Sequence, residues 1–327
     1  VVELDRPVVS VGNLSTGGTG KTPLVRAVVR WLLEDGKHPA IAMRGYGTAP
    51  YTGLQSDEAR EYAMSFGAAV PIVAQPNRVE GLIELFGGEV GGAGAAVDCV
   101  VMDDGFQHRR LARACDIVVV DCTRSPFDDA LLPAGHLREG PMSLRRAHAV
   151  VLTHTKSVTD AQADSLGQRC LGVNAGLVVA RADHAWSGFT VRAGGRGADG
   201  DAGAENIRDW VYLACAIGNP QRFIKQAEGE ALSVAGTMVL RDHDPFEPKT
   251  LRKLLDELER TKARALWVTP KDWPKLAVVK PEAWPCPVLT PNVEARFSAG
   301  EAELRALVLG KVRAFAERES DRGDGVD

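Results

Sequence analysis

No hydrophobic run in the 327-residue chain comes near the ~20 residues that a membrane-spanning helix needs. An excess of positive charge is missing too. Lys and Arg total 39 against 43 Asp and Glu, a net charge of −4, so the basic surface that marks most nucleic-acid-binding proteins is absent. Cysteine is sparse: the six thiols, at 99, 115, 122, 170, 215 and 286, form no Cys-x-x-Cys pair, and several lie in apolar runs. They read as reduced, buried thiols of a cytosolic protein. Signal-peptide character, fixed-period repeats and an initiator methionine are also lacking. The first residue is Val1 and a strand-like run follows within ten residues, so a segment upstream is expected to have been removed. What is present is ordinary globular material. Hydrophobic residues make up 45% and charged residues 25%, enough for sizeable cores, and the length suits about two domains at ~150 residues each.

Short β-branched runs alternate with helix-length segments through the first half: 7–13, 40–44, 71–74, 99–104, 116–121 and 149–155. They are too continuously apolar for one-sided strands and read as parallel strands covered on both faces. Between the first two, Leu24, Val28, Trp31 and Leu32 share one helical stripe that stops at Gly36. This rhythm predicts an α/β fold, a P-loop-type doubly wound and mostly parallel sheet, over residues 1–182. A Gly-, Ala- and Asp-rich stretch at 192–206 reads as a loop or connection. Beyond it the pattern resumes with an amphipathic helix at 248–263. Residues 183–327 are therefore expected to form a smaller α/β domain that closes over the active-site cleft and ends in a helix at 300–319.

The strongest motif is SVGNLSTGGTGKTPLV at 10–25, between a predicted strand and a predicted helix. Ser15, Thr16, Gly17, Gly18, Thr19, Gly20, Lys21 and Thr22 are its nucleotide-binding candidates. The glycines let backbone N–H groups surround phosphate oxygens, Lys21 reaches the β- and γ-phosphates, and the Thr22 hydroxyl suits Mg²⁺. Ser15 stands where the glycine-rich pattern has its first glycine. A second motif, VVMDDGFQHRRL at 100–111, ends another strand and sets Asp103 and Asp104 where a P-loop fold holds its metal or the metal's water shell. The TPKD at 269–272 is only loosely like a guanine-reading motif.

These segments occur in one order with MRGYG at 43–47, SDEA at 56–59, PNRVEG at 76–81, LLPAGHLRE at 131–139, AIGNPQRF at 216–223 and RDHDPF at 241–246. From about Val8 to about Leu276 the chain resembles the tetraacyldisaccharide 4′-kinases, the lipid A 4′-kinases of Gram-negative-type envelopes. The resemblance implies transfer of the γ-phosphoryl of ATP, with Mg²⁺, to the 4′-hydroxyl of an acylated glucosamine disaccharide 1-phosphate. It implies Asp57 as catalytic base assisted by His243, with Lys21 and Arg138 acting on the phosphates. Glu139 joins Thr22, Asp103 and Asp104 near the metal, and Arg44, Asn77, Arg78, Gln107, His108 and Asp242 act as substrate-binding or supporting residues. The implied setting is a monomer, cytoplasmic and peripheral on the inner membrane, with an N-terminal apolar and basic helix that this sequence lacks ahead of Val8, and no nucleic-acid partner. Two other classes share the glycine loop: a P-loop ATP-dependent ligase and a nucleotide-switch protein. The ligase has no need of DDGFQH and RDHD together. The switch calls for a guanine motif and metal-delivering Cys or His clusters.

Overall fold

The computed structural model describes residues 1–17, 19–45, 56–88, 94–194 and 207–323, without the side chains of residues 57 and 319–323. Its strands are β1 (Val8–Asn13), β2 (Pro39–Met43), β3 (Ile72–Ala74), β4 (Cys99–Asp103), β5 (Cys115–Asp121), β6 (Ala149–Thr153), β7 (Val178–Ala193), β8 (Val211–Cys215), β9 (Val234–Val239), β10 (Ala265–Val268) and β11 (Val288–Ala299). The helices are α1 (Lys21–Glu34), α2 (Asp57–Phe66), α3 (Arg78–Phe86), α4 (Asp160–Val173), α5 (Pro220–Gly229), α6 (Pro248–Thr261), α7 (Trp273–Leu276) and α8 (Glu301–Gly323). Contacts group Val1–Ala185 with Glu294–Asp327 as one unit and Trp186–Val293 as another.

In the first unit the strands run β3-β2-β4-β1-β5-β6-β7, and each neighbouring pair is parallel. Strand alternation sends Val9, Val11, Ile117 and Val119 to one face, where they pack with Leu24 and Val28 of α1, Tyr62 of α2 and Leu304 and Val308 of α8. On the other face Val8, Val100 and Met102 meet Leu82 of α3, while Val118, Val120, Val150 and Leu152 meet Leu166 and Cys170 of α4. Both faces are covered, which is why these strands are apolar at successive positions. Helix α1 ends because Gly36, at φ 76°, takes the left-handed conformation that terminates helices. The chain passes from β4 on one side of β1 to β5 on the other. The C-terminal end of β1 is therefore a switch point where ligands of open α/β sheets bind.

In the second unit the order is β11-β10-β8-β9, again parallel throughout. Leu213, Cys215 and Trp267 pack with Phe223 and Ala227 of α5 on one face. Tyr212, Ala214, Leu266 and Val268 pack with Leu254 and Leu258 of α6 on the other.

Sequence patterning located six of the first-unit strands but not β7 or β11, whose polar residues interrupt any apolar run. It also assigned all of 183–327 to the second domain. The contacts instead return Glu294–Asp327 to the first unit. The reason is visible in α8, where Leu304, Val308 and Val312, four residues apart, are buried in the first unit's core. Each such side chain contributes about 1.5–3 kcal/mol when fully buried. The six cysteines are free thiols, and all but the half-buried Cys122 are buried. Burial pushes Cys115, Cys170, Cys215 and Cys286 up to about 12.

Candidate active site

The phosphate loop runs from the end of β1 into α1. Gly17 and Gly20 have φ of 101° and 93°, the conformation that turns successive N–H groups inward. Gly20 is also confined sterically, since a Cβ there would lie 2.4 Å from Nε2 of His184. From behind, Asn13 Nδ2 donates to Thr19 Oγ1 (2.8 Å) and Thr153 Oγ1 donates to the Thr19 carbonyl (3.0 Å). On the other side Thr16 N–H donates to the His136 carbonyl (2.8 Å), Arg138 N–H donates to the Leu14 carbonyl (2.7 Å), and Ser15 bridges to Leu137. Lys21 and Thr22 open α1. Gly18 lies outside the described residues.

Strand β4 delivers Asp103 and Asp104 beside this loop, through the pairing of Val11 with Asp103. The turn after β4 packs so closely on β1 that a Cβ at Gly12 would lie 2.5 Å from Cβ of Phe106. Asp104 adopts φ 52°, a left-handed conformation unusual for a residue with a side chain. Arg78, itself buried, holds that turn by donating to the Asp104 carbonyl (3.1 Å). The Asp104 carboxylate faces two cations, Lys21 Nζ at 3.3 Å from Oδ1 and Arg138 at 2.8 Å from Oδ2. Burial pushes its pKa up, but Lys21 and Arg138 outweigh that and hold it below the usual carboxylate range.

Asp103 is the opposite case. It is 7% exposed; Tyr62 donates to its Oδ2 at 2.9 Å, and its Oδ1 has no hydrogen-bond partner among the described residues. Burial raises its pKa, aided by the charges of Asp104 and Glu58 and opposed by Lys21 and the Tyr62 hydrogen bond. An orphaned carboxylate oxygen in a buried site fits a small hard cation, which takes oxygen ligands and commonly only one or two carboxylates beside waters and phosphates. Among the described residues no three His, Cys, Asp or Glu side chains gather into a metal cage. Glu139 is occupied elsewhere, accepting from Arg146 (2.7 Å) and Ser143 (2.9 Å).

Gln107 links the parts, donating to the Asn13 carbonyl (3.0 Å) and accepting from Arg138 (3.2 Å). Burial, and then the charges of Arg78, Arg113 and Arg110, lower the pKa of His108, so its imidazole is neutral at pH 7. Asn77 stands just before α3 and donates to Glu80 (2.6 Å). Arg44 is exposed just after β2, and Tyr46 and Gly47 of the RGYG segment lie outside the described residues. Asp57 opens α2 behind the N-cap Ser56, whose hydroxyl accepts from Ala59 N–H (3.1 Å).

In the second unit, Asp242 and His243 are exposed after β9. His243 has φ 62° and its N–H donates to the Ala216 carbonyl (3.1 Å). The TPKD aspartate proves to be an internal brace. Asp272 is fully buried and accepts from the Thr269 hydroxyl (2.6 Å) and Ala216 N–H (3.0 Å), with Lys275 Nζ at 3.1 Å.

Sequence reasoning missed Tyr62, Asn13, Thr153 and Arg146. Tyr62 carried a usable signal, a tyrosine on the same helix as Asp57. The other three are recognisable only from their contacts.

Comparison with known proteins adds a separate line of support. A family model described as tetraacyldisaccharide-1-P 4′-kinase matches residues 1–313. A tetraacyldisaccharide 4′-kinase of Geobacter metallireducens is 34% identical over 85% of this chain and 81% of the relative. One from Chlorobium limicola is 32% identical over 94% and 88%. The crystal structure of the "apo" form of LpxK from Aquifex aeolicus in complex with ATP has the same fold, with a TM-score of 0.67 over 95% of this chain and 90% of that one, at 24% identity.

Proposed function

The chain belongs to the tetraacyldisaccharide-1-P 4′-kinase family, and from that premise we propose how its residues divide the work. The reaction is the ATP-dependent phosphorylation of the 4′-hydroxyl of a tetraacyldisaccharide 1-phosphate, in lipid A biosynthesis. The observation that carries the assignment is the convergence of Lys21 and Arg138 on Asp104 beside the glycine loop. Two cations already oriented toward one anionic group are suited to a transferring phosphoryl, whose catalysis is mainly positioning and charge stabilisation.

In this reading residues 15–22 cradle the triphosphate. Lys21 and Arg138 exchange the Asp104 carboxylate for phosphate oxygens, and Gln107 keeps Arg138 aligned. Asp103 and Thr22 are the groups suited to hold Mg²⁺, which when bound neutralises charge on the nucleotide phosphates. Asp104 sets the two cations, and Arg78 and His108 support the turn that carries it. Glu139 supports the site through Arg146 and Ser143. Asp57 is the base: as the 4′-oxygen bonds to the γ-phosphorus and the bond to the departing ADP oxygen breaks, the hydroxyl proton passes to its carboxylate. Its helix supports this role, because Tyr62 on α2 donates to Asp103 and the charge of Glu58 acts on Asp103. His243 assists, with Asp242 beside it; this role and the substrate-binding roles of Arg44 and Asn77 rest on the family resemblance. Among the described residues no helix is long and apolar enough to cross a membrane; it is the family resemblance that supports reading the enzyme as a monomer that meets its lipid peripherally from the cytoplasmic surface.

The test is transfer of label from γ-labelled ATP to a tetraacyl disaccharide 1-phosphate in detergent micelles. Folded protein that labels no lipid overturns the kinase reading. Asp57→Ala is expected to lower kcat by about 10²–10⁴-fold with the Kd for ATP within about twofold of wild type. Collapse of ATP binding instead makes Asp57 a nucleotide ligand. If Asp57 and His243 serve one proton, the double variant loses no more than the worse single one.

A further inference from the structure

Residues 130–134, Ala-Leu-Leu-Pro-Ala, are all exposed, with Leu131 and Leu132 each at 53%. Scattered exposed leucines are unremarkable, but a run of five exposed apolar residues marks a contact surface or a liability. This run is firmly built. Asp129 Oδ1 accepts from the N–H groups of Ala130 (2.8 Å) and His136 (3.2 Å), Leu132 N–H donates to the Leu137 carbonyl (2.8 Å), and Leu137 N–H donates to the Ala130 carbonyl (3.0 Å). Leu137, 3% exposed, anchors the base of the loop in the core with Leu14 and Phe106. The same base is hydrogen-bonded to the phosphate loop, Thr16 N–H donating to the His136 carbonyl and Arg138 N–H to the Leu14 carbonyl. Met142, 51% exposed, and the exposed Arg145 follow in the next turn, and Arg124 is exposed before it.

We propose that residues 130–134, with Met142, form a membrane-docking knob that places Leu131 and Leu132 in the hydrocarbon edge of an anionic bilayer, with Arg124 and Arg145 at its head groups. The proposal rests on the lipid-kinase reading, which requires the enzyme to work where its acceptor is embedded. The occupant is the bilayer rather than a single acyl chain, because 130–134 are exposed as one continuous run, while the cavity beside them is rimmed by the charged side chains Arg124, Asp128, Asp129 and Arg169, which suit no acyl chain. Scale agrees. Leu132 N–H bonds to the Leu137 carbonyl, so the leucines lie within one turn of the segment that touches the phosphate loop, and interfacial apolar faces sit ~5–10 Å into the boundary of head groups and acyl chains. Leucines at that depth keep the phosphate loop close to the membrane surface. Because the loop is already ordered, docking costs little conformational entropy. The basic rim supplies attraction to anionic lipid, strongest at low salt.

The test uses the full chain and vesicles of phosphatidylglycerol and phosphatidylethanolamine in a sedimentation assay. The double variant Leu131→Ser/Leu132→Ser is expected to lose on the order of tenfold in vesicle partitioning, while Val278→Ser, which alters an equally apolar exposed site (75% exposed) in the second unit, partitions as wild type. An unchanged Kd for ATP shows that the double variant is folded. Independently, L132W should be quenched by lipids brominated along the acyl chain. The proposal is overturned if wild type does not bind these vesicles, if the double variant binds as wild type does, or if L132W is not quenched. Concentration-dependent dimers abolished by the double variant, with vesicle binding intact, overturn it in favour of a second copy of this chain. Failure of the kinase reading is separate, being read from micellar substrate without vesicles.

Discussion

Each unit places an aspartate at the C-terminal end of a parallel strand, and the two have opposite surroundings. Asp272, after β10, is fully buried with its carboxylate bound to a hydroxyl, a backbone N–H and an ammonium. Asp103, ending β4, has one oxygen bound to Tyr62 and one with no hydrogen-bond partner among the described residues. Buried polar atoms are ordinarily satisfied, so an unsatisfied carboxylate oxygen beside a phosphate loop fits a site that takes a ligand. The satisfied aspartate braces a fold. The unsatisfied one stands at a switch point, within the field of Lys21.

Replacing each aspartate breaks the comparison in opposite directions. Asp103→Asn is expected to cut turnover about a thousandfold, as loss of a central electrostatic group does, and yet to stabilise the protein. The sign follows from the raised pKa. Between its ordinary value and its folded one, the native state binds more protons than the unfolded state, so stability falls as pH rises through that window and the charged carboxylate is a net cost at pH 7. A gain on the order of 1 kcal/mol in urea denaturation is the check. Asp272→Ala should destabilise by about 3 kcal/mol, since Ala216 N–H, the Thr269 hydroxyl and Lys275 all lose their partner. ATP affinity of the folded fraction, measured by titration calorimetry, is expected to stay near wild type.

Asp104 sharpens the contrast within the active site. Its pKa is depressed, so its ion pairs stabilise the protein above the ordinary carboxylate value and are lost as pH falls through the folded one. Asp104→Asn should therefore cost about 1 kcal/mol at pH 7, modest because the pair is partly solvated, and flatten the loss of stability below about pH 4. The smallest effect belongs to Tyr62→Phe. Removing its hydrogen bond raises the Asp103 pKa further. The acid limb of kcat/KM should move to higher pH, with turnover at pH 8 within about twofold of wild type.

Part of the candidate site is carried by local sequence pattern. The glycine loop, Lys21, Asp103 and Asp104 are local signals, each tied to a turn or strand end that short-range pattern identifies, whereas Arg138 came from the family resemblance. Two kinds of information were not local. One was the role of Arg78, named from the resemblance without a function; its partner is the Asp104 carbonyl, 26 positions away. The other was Asp272, whose likeness to a nucleotide-reading motif dissolves once its buried partners are seen.

The amino-acid sequence by itself determined the doubly wound parallel architecture, because strands buried on both faces must be apolar at successive positions. It also determined the phosphate loop, because glycines at those positions permit its left-handed backbone. Tertiary structure alone decided which carboxylate is satisfied and which is not, that α8 returns to the first unit, and that an apolar five-residue run stands outside the core. Burial and pairing depend on which distant segments meet, and no local pattern encodes that.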